Sequence, residues 1–123
     1  TAGSQREEAE RLHPLLTADE LPRLQSEVAA IHAAPALIDY LQALVEATRR
    51  DAAYRHGLSP RAGLALLAAG RAWAWLDGRN MVLPDDLQAV LPAVACHRLR
   101  SAQGGGHARA EDIAALIRTV PIP

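Results

Sequence analysis

One hundred and twenty-three residues and 13.2 kDa leave room for one domain and a short tail. Half are apolar, but Phe is absent and aromatics make up 3%, so the core rests on 26 Ala, 18 Leu and 11 Val plus Ile. This helix-forming mixture excludes a β-sandwich or barrel. All 13 basic residues are Arg, which excludes a self-contained P-loop ATPase and a lysine Schiff-base mechanism; the net charge of −1 excludes a strongly basic nucleic-acid footprint.

The lone Cys96 cannot form an internal disulfide, which favours a reducing, cytoplasmic setting. No apolar run reaches the roughly 20 residues that span a bilayer, and the amino terminus has no signal-peptide pattern. The first residue is Thr1, and the expectation is a piece of something longer.

Residues 1–16 are polar, then mixed, and broken at His13-Pro14; they read as an entry segment. Thr17-Ala18-Asp19-Glu20 has the form of a capping box, and Leu24, Val28 and Ile31 make one stripe of a first short helix. Pro22 removes a ladder bond in its second turn. Pro35 opens a second helix with Leu37, Ile38, Leu41, Leu44, Val45 and Thr48 inward, running out through Arg49-Arg50 to Gly57 as its C′ residue. Ser59-Pro60 starts a third helix, hydroxyl cap followed by proline at N1. Its body, Leu64 to Leu76, is apolar nearly all round and predicts a central position with neighbours on several sides.

Asp77-Gly78 ends that helix, Met81-Val82-Leu83 is extended, and Pro84-Asp85-Asp86 opens a fourth helix striped by Leu87, Val90, Leu91 and Val94. Pro92 is expected to kink or split it. Residues 101–109 form a Gly-rich linker, and residues 110–123 hold a last helix with Ile113, Leu116 and Ile117 inward, stopped by Pro121. The fold class expected is all-α: a compact bundle of four to five short helices, with residues 17–100 as its main unit.

No metal site is expected. His97 directly follows Cys96, no second pair stands at ligand spacing, and adjacent helical residues point about 100° apart, which also removes a Cys–His nucleophile. The pairs Asp85-Asp86 and Glu111-Asp112 each open a helix, where the dipole alone accounts for them. Arg61 is different. A cation at N2 sits at the positive end of the helix, an unfavourable place by about 0.3–1 kcal/mol. One account is a solvated side chain extending away from the helix end; the other is an anion site, in which the Ser59 hydroxyl, Pro60 at N1, first-turn N–H groups and the planar fork together would suit a phosphate.

The surrounding run is Gly57-Leu58-Ser59-Pro60-Arg61-Ala62, Leu66-Leu67-Ala68-Ala69, Arg71-Ala72, Asp77-Gly78-Arg79-Asn80, Val82, Pro84-Asp85-Asp86-Leu87 and His97-Arg98-Leu99. With Tyr40, Leu44-Val45 and Thr48-Arg49 before it, this resembles the carboxyl-terminal lid domain of MoxR-type AAA+ ATPases over roughly residues 17–100. Leu58 departs from the small residue usual there, and the Gly104–Gly106 insert looks longer than usual.

The resemblance implies an AAA+ lid-like fold that closes over ATP, the nucleotide and its Mg being held mainly by an α/β core outside this chain. It implies that Arg61 is the sensor-2 arginine, with Ser59 and Pro60 on the phosphate side. It also implies a ring homo-oligomer of chaperone-like character when intact, with von Willebrand factor A-domain partners, and neither nucleic acid nor a membrane span. The alternative is a free-standing helical protein-interaction module. A helix-turn-helix reader is disfavoured, because Leu64, Leu66, Leu67 and two Trp stand where polar side chains would face the groove.

Overall fold

A computed structural model describes residues 2–102 and 106–123, so Gly104 and Gly105 of the glycine insert lie outside the described residues. The described residues form six helices, one or two more than expected: α1 Ala2–Glu10, α2 Glu20–Ala29, α3 Pro35–Arg50, α4 Pro60–Leu76, α5 Pro84–Ala95 and α6 Ala110–Arg118. The additional helix is α1, a polar segment without an apolar stripe that packs against none of the others. The all-α expectation holds, with isolated β-bridges in place of any strand among the described residues.

The centre is α4 laid along α5, with α2 and α3 against α4, and α6 closing over α5 and α3. Leu44, Leu66, Leu87, Leu91, Leu99 and Ile113 are fully buried at the meeting of these helices. Gly70 permits the close α4–α5 approach, because a Cβ there would stand 2.8 Å from Leu87 Cδ2. Helix α4 has the central position expected, with α2, α3 and α5 as neighbours, although Leu64, Trp73 and Leu76 on it are exposed.

Capping follows the residue chemistry. Thr17 and Glu20 bond reciprocally, Glu20 N–H donating to Thr17 Oγ1 at 3.3 Å and Thr17 N–H to Glu20 Oε1 at 3.1 Å, but the N-cap of α2 is Asp19 rather than Thr17, so this pair closes the turn leading into the helix. Because α2 begins at Glu20, Pro22 falls in its first turn, where a missing N–H leaves no orphan. At the other end of α4, Gly78 takes φ +75°, and the N–H groups of Arg79 and Gly78 donate to Ala74 O and Trp75 O, both at 3.0 Å. That is a Schellman motif, and glycine supplies its left-handed residue without a steric cost.

Two expectations need correction. Pro92 does not divide α5: Leu87, Val90, Leu91 and Val94 are buried on both sides of it, and Cys96 N–H still reaches Pro92 O at 3.0 Å. Gly57 is not the C′ residue of α3, which stops at Arg50 with Asp51 as C-cap. Asp51 instead closes a turn, its Oδ1 accepting from Ala53 N–H at 2.9 Å. Gly57 lets the returning chain cross α3, for a Cβ there would sit 2.5 Å from Arg49 Cα.

The two glycines around Arg61 should therefore respond in opposite directions. Gly57→Ala forces backbone against backbone and should cost at least about 2 kcal/mol. Gly63→Ala places its methyl 3.5 Å from Val45 Cγ2, an ordinary contact, and should stabilise α4 by about 0.5–1 kcal/mol. Urea melts of the two variants check this.

Candidate functional site

The position of Arg61 is decided on α3. Thr48 is completely buried in the last turns of that helix, and its hydroxyl donates to Val45 O at 2.6 Å. The same oxygen accepts from Leu58 N–H at 2.9 Å. Beside it, Arg49 Nε donates to Leu58 O at 3.1 Å. Both peptide groups of Leu58 are thus tied to α3, and the buried Leu58 side chain adds an apolar anchor. The next residue, Ser59, is the N-cap of α4, its Oγ accepting from Ala62 N–H at 3.1 Å.

Capping changes what the start of α4 can offer an anion. Pro60 has no N–H, Ala62 N–H is taken by Ser59 Oγ, and Gly63 N–H by Ser59 O at 3.0 Å. The Arg61 N–H, the Ser59 hydroxyl proton and the Arg61 guanidinium are left to donate. The fork is the main donor. Arg61 is exposed and makes no hydrogen bond or ion pair with the described residues.

A second polar assembly lies where α4 turns into α5. Arg79 grips Asp86 with both terminal nitrogens, at 2.8 and 2.5 Å, and reaches Asp77 through Nε at 2.8 Å. Asp86 Oδ2 also accepts from Leu83 N–H at 2.7 Å, capping α5. Asp86 is 2% exposed, so the helix dipole alone does not account for it as expected from sequence. Burial pushes its carboxyl up, but hydrogen bonds from Arg79 and from Leu83 N–H, with the Arg79 charge, hold it below its ordinary value. Asp85 beside it is exposed.

No group of three His, Cys, Asp or Glu side chains is placed to hold a metal among the described residues. Cys96 is half-buried, and burial together with Asp112 raises its thiol pKa, which keeps it protonated. No helix is long and apolar enough to cross a membrane among the described residues.

The AAA lid domain family matches residues 46–120, from the end of α3 through α6. Protein MoxR from Paracoccus denitrificans is 38% identical over 109 residues, which cover 75% of this chain and 32% of that protein. Chaperone MoxR1 from Mycobacterium tuberculosis is 37% identical over 94 residues, covering 69% of this chain and 25% of that one. The chain belongs to the MoxR-family AAA+ lid domains. A crystal structure of a candidate ATPase from Cytophaga hutchinsonii has the same fold, with a TM-score of 0.71 and 28% identity over 80% of this chain and 33% of that one. This lid spans between a quarter and a third of the curated relatives just named.

Sequence reasoning reached Ser59, Pro60 and Arg61 but not the assemblies that hold the ends of α4. Thr48 read only as an inward residue, and Arg49 as a cation suited to the helix end. The signal available was a hydroxyl on an otherwise aliphatic stripe, a position where a polar atom needs a partner.

Replacing that hydroxyl by a methyl leaves Leu58 N–H buried without an acceptor. Thr48→Val should therefore lower the stability of the lid by about 1–3 kcal/mol despite unchanged volume, read by urea denaturation. Asp86→Asn should cost on the order of 2 kcal/mol at pH 7. Because the folded carboxyl titrates below its unfolded value of 3.8, its contribution is complete above that pH and is lost as pH falls through the folded pKa. The stability gap between wild type and Asp86→Asn should accordingly narrow between pH 4 and more acidic solution, to about zero once Asp86 is protonated.

Proposed function

We propose that this lid closes over ATP held by an α/β core in the intact polypeptide, and that Arg61 supplies the sensor-2 contact to the γ-phosphate. The observation that carries the reading is the state of Arg61: an exposed guanidinium without a partner among the described residues, at the first turn of a helix whose start is tied down from both sides of Leu58. Arg49 and Arg79, near the two ends of α4, are by contrast engaged in structure, Arg49 with Leu58 O and Arg79 with two aspartates. A cation kept unpaired at the positive pole of a helix is accounted for by an anion supplied from outside.

The chemistry follows from the guanidinium. ATP presents a terminal phosphoryl group that ADP lacks, and charge-assisted hydrogen bonds to it form in one nucleotide state only. That difference in contacts biases lid closure. The Ser59 hydroxyl proton and Arg61 N–H lie on the same turn and would assist, while Pro60 sets the first φ angle of the helix. ATP and Mg would be held mainly by the core, whose Walker lysine this lysine-free chain cannot supply. The relatives' AAA+ character supports a ring of such subunits in the cytoplasm, with chaperone-like work on von Willebrand factor A-domain partners as the family expectation.

The test is Arg61→Ala in the intact ATPase. Turnover should fall on the order of 10²-fold or more, the usual effect of removing one donor from a charge-stabilising site. The isolated lid carrying the same substitution should melt no lower than wild type, since an unfavourable cation has been removed from a helix amino terminus. Unchanged turnover would remove Arg61 from the mechanism. The isolated lid itself should hydrolyse no ATP.

A further inference from the structure

A second group of unpaired cations lies away from the start of α4, on irregular chain. After α3, residues 53–55 pair antiparallel with residues 100–102, through the Tyr54–Ser101 bridge, with Arg55 N–H donating to Arg100 O at 3.1 Å and Ala102 N–H to Ala53 O at 2.8 Å. That register places Arg55 directly opposite Arg100, since successive residues on antiparallel segments pair in reverse order. Like charges facing each other across such a pair are destabilising.

The pairing is firmly held. Residue 101 is also bonded on its other side, Ser101 N–H donating to Gly106 O at 2.9 Å, and Ala108 N–H donates to Leu99 O at 2.9 Å. Tyr54, Leu99 and Ala108 are buried and join this small three-segment patch to the core. The two arginines therefore cannot part by a slip of register without moving buried side chains to the surface.

Neither guanidinium has a counter-charge. Both residues are exposed, and no carboxylate of the described residues lies within ion-pair distance of either. Between them is a hollow of about 70 Å³ lined by Arg55, Arg100, Ser101 and Gly106, without an acid. Asp51 and Asp112, with His107, line a separate neighbouring cavity. The volume is far below the roughly 300 Å³ at which pockets begin to enclose a drug-sized molecule, so the occupant is a single small group.

We propose that the hollow between Arg55 and Arg100 is a binding site for one phosphate group. Two guanidinium charges match the roughly −1.5 to −2 charge of a phosphate monoester at pH 7, whereas a carboxylate would neutralise one of them. Two planar guanidinium forks lining one hollow offer several N–H donors to a tetrahedral oxyanion. Binding would also remove the repulsion that the backbone pairing imposes. The source is either the free ion or the phosphate ester of a larger molecule, since both present the same group to the two arginines. This site is separate from Arg61, and its failure would leave the lid assignment untouched.

Thermal melts of the 123-residue chain at constant ionic strength test it, with sodium chloride replaced by inorganic phosphate, glycerol phosphate or acetate. Phosphate should raise Tm saturably by several degrees, because a ligand that binds only the folded state stabilises it. With Arg61→Ala as the background throughout, so that its guanidinium does not contribute, Arg55→Gln and Arg100→Gln should each abolish that rise. Broadening of the phosphorus NMR line by the chain gives a second readout that does not depend on Tm. Tighter binding of glycerol phosphate than of phosphate would identify an ester as the ligand, and equal binding the free ion. An equal rise with acetate, or a phosphate response that survives in the Arg55→Gln/Arg100→Gln double variant, would overturn the proposal.

Discussion

A single buried hydroxyl sets the geometry on which the amino-terminal end of this lid depends. Thr48 Oγ1 donates along α3 to Val45 O and accepts from Leu58 N–H, so one atom bonds back onto its own helix and receives the returning chain. The chain from α3 to α4 must cross back over α3 at Gly57, where there is no space for a side chain. At such a crossing a peptide N–H turns inward and loses water, and a protein acceptor has to replace it. Threonine meets the demand within an aliphatic stripe because its methyl packs while its oxygen bonds. Valine would fill the same space and leave the donor unsatisfied.

Arginine, in a chain without lysine, serves two incompatible purposes here. Arg49 and Arg71 each turn Nε toward a backbone carbonyl, of Leu58 and Ile31 respectively, and thereby fasten one segment to another. Arg79 spends its whole fork on Asp77, Asp86 and Met81 O. A lysine has one charged nitrogen and could not make these several fixed contacts at once. Arg61, Arg55 and Arg100 make none of them. The division is physical: fastened guanidiniums are electrostatically satisfied, and unfastened ones retain the ability to attract an anion from solution.

Helix positions were legible in the sequence because proline, serine and glycine mark them. Ser59-Pro60 and Gly78 bound α4 as capping rules require, and the leucine stripes of α3, α5 and α6 point inward as their period requires. What was not legible is long-range pairing. Gly57 reads as a helix stop from local rules, yet its reason is the backbone of Arg49 passing at van der Waals limits. Asp86 reads as a dipole residue, while its burial and its grip on Arg79 depend on the turn between α4 and α5 folding back. Helix α1 was missed because its nine residues hold no large apolar side chain, so no periodicity signals it. The facing of Arg55 and Arg100 is a property of register between segments some 45 residues apart, which no local pattern contains.

The two ends of α4 are held by different chemistry, and this matters for the proposed closure. At its start, Leu58 is tied to α3 through Thr48 and Arg49; at its finish, the Schellman turn and the Arg79–Asp86 pair tie it to α5. Between them Gly70 allows α4 and α5 to lie in close contact along a buried face. A helix of 17 residues is about 25 Å long, and interiors packed this closely transmit displacement rather than absorb it. A phosphate-dependent pull on Arg61 would have to unwind a capped first turn or move α3, α4 and α5 together. Unwinding breaks the Ser59 cap and strands the N–H groups of the first turn, whereas moving the helices together breaks none of their contacts. Rigid-body rotation would therefore be the cheaper response to such a pull, and under the proposed closure it would carry the state of one guanidinium across the whole bundle.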